Sequence, residues 1–117
     1  MLSAIIEPMD EDKVQLHRRE QEEKATKERA AILGLQYLDL RELERTMPLL
    51  TGILTNEEMY KSHIIPVLRT GDDYKFAVTS QTPQSLIQRM REEYNNKGRN
   101  VQFLLISGSG FRAVMNR

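Results

Sequence analysis

The residues with the most chemical potential in this 117-residue chain are few. Ser107, Gly108, Ser109 and Gly110 stand just ahead of a predicted helix, where backbone N–H groups can face a phosphate. A phosphate-transfer loop would also need a Lys within a Gly-x-x-x-x-Gly-Lys-Ser/Thr frame, and none is present, so the plainer expectation is a loop whose Ser109 caps the helix. His17 and His63 have no neighbouring ligand set, and His63 reads as a polar residue at a strand edge. Asp72 and Asp73 have the chemistry of a cation site, but turn geometry accounts for both. No nucleophile–base pair or paired-carboxylate constellation is visible, which speaks against an enzyme. No cofactor or metal motif appears.

Charge carries more information. The formal net charge is zero. Residues 1–62 hold thirteen acids and nine bases, a balance of −4, while residues 86–117 hold two acids and six bases, a balance of +4. Without an overall excess of base, and with few aromatic residues, nucleic-acid binding is not expected. Cysteine is absent, which removes disulfides and thiolate metal sites. No apolar run reaches the roughly 20 residues of a membrane span, and Met1–Ile6 lacks the basic region of a signal peptide. A cytoplasmic protein is expected.

The elements that must position these residues follow from periodicity and turn chemistry. Residues 10–33 read as one helix, with acids at its start and acid-first pairs at Glu20–Lys24 and Glu23–Lys27. From His17 to Lys24 it has no apolar residue, so it is expected to project or to meet another chain, with Ala30, Ala31, Ile32 and Leu33 docked. Gly34 can end it, Gln36–Asp39 suits a short strand, and Asp39 with Glu42 has capping-box spacing before a turn over 40–46. Thr55 and Glu58 form a second capping box, opening a helix through about Ser62 with Met59 and Tyr60 at its boundary.

The centre of the chain is a β-β-α-β block. Residues 64–70 and 74–80 flank a turn at Gly71–Asp73, and Pro66 marks the first strand as an edge or a bulge. Tyr74, Phe76 and Val78 share one face of the second strand. Thr82 and Pro83 read as cap and first position of a helix whose stripe is Leu86, Ile87, Met90 and Tyr94. Strand 101–106 is apolar on both faces and is expected at the sheet centre, joined by a right-handed crossover. A last helix over 110–117 turns Phe111, Val114 and Met115 inward. The expected fold is α+β: a small mixed sheet of three to four strands packed with helices, a charged segment over 1–29, and a domain over 30–117.

This order of motifs resembles the N-terminal domain of the type II secretion and type IV pilus assembly ATPases, from about Ala30 to Arg117. The resemblance rests on Ala31–Leu40 (AILGLQYLDL), Glu57–Glu58 leading into Ile64–Leu68 (IIPVL), Phe76–Val78, Thr82–Pro83, and Phe103 to Arg117. Thr82 stands where the family usually has aspartate. The Arg-Leu-Gly motif of the cyclic di-GMP-binding members has no counterpart in residues 1–30. The resemblance implies a non-catalytic adaptor that docks a motor onto the cytoplasmic part of an inner-membrane platform protein. A motor domain in cis would hydrolyse ATP if the chain is a piece of a longer protein, and the location would be the cytoplasmic side of that membrane. The alternative is a regulatory domain that senses a nucleotide. For partner contact the charged residues singled out are Arg18, Arg19, Glu22 and Glu23 on the first helix, Arg89 on the middle helix, and Arg112 on the last.

Overall fold

A computed structural model describes residues 8–117, with side chains from residue 12 onward, so the segment read for a signal peptide lies outside the described residues. The elements are α1 (Pro8–Leu33), β1 (Gln36–Tyr37), α2 (Asn56–Ser62), β2 (Ile64–Thr70), β3 (Asp73–Val78), α3 (Gln84–Asn96), β4 (Asn100–Leu105) and α4 (Gly108–Met115). The four strands form one mixed sheet in the order β1-β4-β3-β2. β2 and β3 are an antiparallel hairpin, while β4 is parallel to both β3 and β1. The α+β class, the central position of the third long strand and the edge position of the Pro66 strand all follow the sequence expectation. The register of β2 shifts between Pro66 and Leu68, where proline has no N–H for the ladder.

The pleat divides the core between two faces, because successive side chains of a strand point in opposite directions. On one face Tyr74, Phe76, Val78, Phe103 and Leu105 pack with Ile87 and Met90 of α3 and with Ala30 of α1. Leu86 and Tyr94 complete the α3 stripe. On the other face Ile65, Ala77 and Ile106 pack with Phe111 and Val114 of α4 and with Leu40 and Met47 from the segment after β1. The helices therefore cover a sheet from both sides, which is why β4 can be apolar throughout its second half.

Three caps differ from their expected form. Ser107, not Ser109, caps α4: its Oγ accepts from the Gly110 N–H at 3.0 Å. Thr82 does not cap α3, whose N-cap position is Pro83 and which has no side-chain cap. Its hydroxyl instead accepts from the Thr79 N–H and donates to the His63 carbonyl, tying the end of β3 to the start of β2. Asp39 makes no capping box with Glu42, because its carboxylate is taken by the Arg41 side chain and N–H. His63 is the left-handed C-cap of α2, with φ 53°, and its ring stacks 4.8 Å from Phe111. The capping box of Thr55 and Glu58 forms as expected.

Helix α1 stops where glycine permits it. Gly34 has φ +71°, the Leu35 N–H reaches back to the Ala30 carbonyl at 2.9 Å, and the Gly34 N–H bonds to Ala31. Ala30 is buried, but Ile32 is 84% exposed and Leu33 is half-exposed, so only one of the four residues expected to dock the helix does so. The helix is held elsewhere, by polar groups.

Candidate functional site

On α1 the residues turned toward the body are Arg19, Glu22, Glu23, Thr26 and Ala30. Their spacing of three and four places them on one helical face. Apart from Ala30 the face is polar, and burying it requires each polar atom to find a partner.

Beyond α1 itself, the partners come from three parts of the chain: β1, the turn after it and the start of α4. Glu23, only 3% exposed, accepts from the Tyr37 hydroxyl at 2.5 Å, from Ser107 Oγ at 2.5 Å and from Arg19 Nε at 2.6 Å. Arg19 extends across to Glu44 at 2.9 Å. Glu22 accepts from the Ser109 N–H at 3.0 Å and from the Ser109 hydroxyl. Thr26 Oγ1 turns back to the Glu22 carbonyl at 2.8 Å, and Arg112 Nη2 donates to Ser109 Oγ at 3.1 Å. Among the described residues no buried side-chain polar atom is left without a partner.

Two consequences follow for the residues read from the sequence. The Ser107–Gly110 loop does present an N–H to an anion at a helix N-terminus, but the anion is the chain's own Glu22 carboxylate. The Glu23–Lys27 pairing expected on the surface gives way to Arg19–Glu23, because Glu23 points inward. The part of α1 expected to project is thus fastened from Arg19 onward, and the exposed arm is the stretch before it.

The electrostatics agree with this geometry. Burial, together with the bond to Glu23, holds the Tyr37 hydroxyl well above its ordinary pKa. Burial alone would lower the Arg19 pKa, but the bonds to Glu44 and Glu23 outweigh it and raise the value. Outside the seam, the Arg41 guanidinium pulls the Asp39 carboxyl below its usual range.

Of the residues singled out for partner contact, Arg19, Glu22, Glu23 and Arg112 are brought to one seam between α1 and α4. Arg18 is exposed and, with Asp12, Gln15, Leu16, Arg19, Glu22 and Ser109, lines an open notch of about 730 Å³. Arg89 is not part of this seam: it lies exposed on α3, 3.9 Å from Glu93. Tyr37 and Glu44 are not singled out by the sequence, and Ser107 is singled out only as part of a loop, since each acts through a partner distant along the chain. The signal that was present is the polar row at helical spacing. Two apolar side chains also stand on the exposed arm, Val14 at 45% and Leu16 at 67% exposure.

No protein-family model and no curated protein sequence matches the chain. Among solved structures, the N-terminal domain of XpsE, a type II secretion ATPase, superposes with a TM-score of 0.59 at 16% identity. The match covers 98% of this chain and 88% of that one. The chain has the fold of the XpsE N-terminal domain. That fold includes the long first helix as well as the β-β-α-β block, so the structural likeness extends beyond the 30–117 region that carries the sequence resemblance. At this level of identity the XpsE likeness fixes the architecture, and the seam chemistry is read from the chain's own side chains.

Proposed function

We propose that the chain is a docking domain of a secretion or pilus assembly ATPase, joining the motor to the cytoplasmic domain of an inner-membrane platform protein. The observation that carries this reading is the XpsE N-terminal-domain fold over 98% of the chain, in agreement with the motif order of the sequence. Hydrolysis of ATP belongs, on this reading, to a separate motor domain in cis, and the domain works on the cytoplasmic side of the membrane. No helix among the described residues is long and apolar enough to cross a membrane.

The contact surface we assign is the exposed arm of α1. Val14 and Leu16 offer apolar area there, and Arg18 a charge. Arg19, Glu22 and Glu23 act one step back: they hold the helix to α4 and β1, so that the arm leaves the body in a defined direction. A preoriented helix loses less freedom on binding than a loose one, which favours affinity.

Size-exclusion chromatography of the chain with a purified platform cytoplasmic domain tests the reading. Co-elution is expected, and separate elution of two folded proteins at concentrations well above micromolar would count against it.

A further inference from the structure

The helices that follow the parallel strands β3 and β4 leave the sheet in opposite directions. α3 packs on the face of Phe76 and Phe103, and α4 on the face of Ala77 and Ile106. Adjacent parallel strands whose connections part in this way leave a crevice beyond their carboxyl ends, the place where open α/β sheets bind their ligands. Such a crevice is present here. Ser80 and Gln81 after β3 line it from one side, Gly108 after β4 from the other, and Arg29 of α1 and Arg112 of α4 help to enclose a cleft of about 230 Å³.

Charge distinguishes this cleft. Among the described residues neither Arg29 nor Arg112 lies within ion-pair distance of a carboxylate, whereas Arg19, Arg41 and Arg89 each do. Glu22 also lines the cleft, but both its oxygens are held by Ser109, through the N–H and the hydroxyl. The α4 amides of Ser109 and Gly110 are likewise taken, by Glu22 and by Ser107 Oγ, so the positive charge left open is that of the two guanidinium groups. Arg112 is set in place. Its Nη2 donates to Ser109 Oγ at 3.1 Å, and a Cβ on residue 108 would stand 3.2 Å from its Nη1, so glycine at 108 leaves room for the guanidinium to lie against the loop.

We propose that this cleft binds a small phosphate-bearing solute, its phosphoryl oxygens accepting from Arg29 and Arg112 and from the side chains of Ser80 and Gln81. Guanidinium forks match the paired oxygens of a phosphate, whose charge near neutral pH exceeds that of one carboxylate and suits two cations. The volume limits the occupant. A cleft of about 230 Å³ is below the roughly 300–1,000 Å³ of sites for drug-sized ligands, so it takes a phosphate with at most a small organic part. The inference stands apart from the docking reading, because it needs no protein partner.

The test follows backbone amide shifts of the isotope-labelled chain as inorganic phosphate is added at constant ionic strength. Chloride and acetate serve as controls, and glycerol 3-phosphate is titrated in parallel. Saturable change at Ser80, Gln81 and Gly108 with phosphate, absent with chloride and acetate, is the expected result. An Arg29→Gln/Arg112→Gln variant should bind about tenfold more weakly or worse, with an Arg29→Lys/Arg112→Lys variant between. Tighter binding of glycerol 3-phosphate than of phosphate assigns the cleft to a phosphorylated metabolite, and equal or weaker binding assigns it to free phosphate. No saturable change at those amides, the same change with chloride or acetate, or equal affinity in the Gln variant overturns the inference and leaves the docking reading standing. Circular dichroism and urea midpoints of each variant separate lost binding from lost folding. Arg29→Gln alone replaces the double variant if that unfolds, because Arg29 is exposed and lies outside the bonded seam.

Discussion

Glu23 and Ser107 lie eighty-four positions apart and share a 2.5 Å hydrogen bond between the first helix and the cap of the last. The same serine oxygen accepts from the Gly110 N–H, so one hydroxyl both closes α4 and fastens α1. The long charged helix is attached to the domain by this bond and its neighbours, not by an apolar stripe.

Replacing either partner is expected to destabilise the fold. Glu23→Gln removes the charge opposite Arg19, and since Arg19 keeps Glu44 the loss should be about 2 kcal/mol, below the ~3–5 kcal/mol of a fully buried broken pair. Ser107→Ala removes a cap and a donor to a buried carboxylate, together about 2 kcal/mol. Urea unfolding of the single and double variants checks both. The double-mutant cycle should show coupling of roughly 1 kcal/mol or more, and strict additivity would mean that the bond is not felt.

Tyr37 gives the seam a pH signature. Its pKa is raised in the folded protein, so the stability it contributes is fully present below the unfolded value near 10 and is lost as pH rises toward the folded value. Thermal unfolding should therefore show a midpoint that falls above about pH 10. Tyr37→Phe should be less stable at neutral pH and show a weaker alkaline fall, the remainder belonging in part to Tyr94, which burial also raises.

Thr82 separates two roles for one hydroxyl. A helix cap would be preserved by aspartate, the residue usual at this place in the resembled family. A tie between Thr79 and His63 needs a hydroxyl that both donates and accepts. A carboxylate cannot donate to the His63 carbonyl. Thr82→Ser is expected to be nearly neutral, while Thr82→Asp and Thr82→Val should each lose roughly 1–3 kcal/mol in urea unfolding.

Gly34 tests the exit from α1. A methyl group added there meets nothing within 4 Å, so the only cost is the positive φ. Gly34→Ala should destabilise by about 1 kcal/mol, and Gly34→Asn by less, because asparagine tolerates the left-handed region.

Much of the fold was legible because its core obeys local rules. The alternation of Tyr74, Phe76 and Val78, the 3.6-residue stripe of α3 and the breaks at Gly34 and Gly71 are each set by neighbours along the chain. Pro66 announced an edge strand because a missing N–H cannot be hidden in a sheet centre. The site was less legible. Glu23 looks like any surface glutamate until Ser107 and Tyr37 are brought to it, and the bond partners of a buried carboxylate are not written in its own segment. Thr82 and Ser109 were misjudged for a related reason: each has the type and place of a cap, but a long-range acceptor competes for its hydroxyl.

The claim that this is a docking domain rests most directly on where a partner touches it. Backbone amide shifts of the isotope-labelled chain, followed while an unlabelled platform cytoplasmic domain is added, report that surface residue by residue. The expected result is saturable change over the arm from Asp12 to Arg18, with the amides of Phe76 and Val78 in the core unmoved. Unchanged spectra in the presence of excess folded platform domain would contradict it.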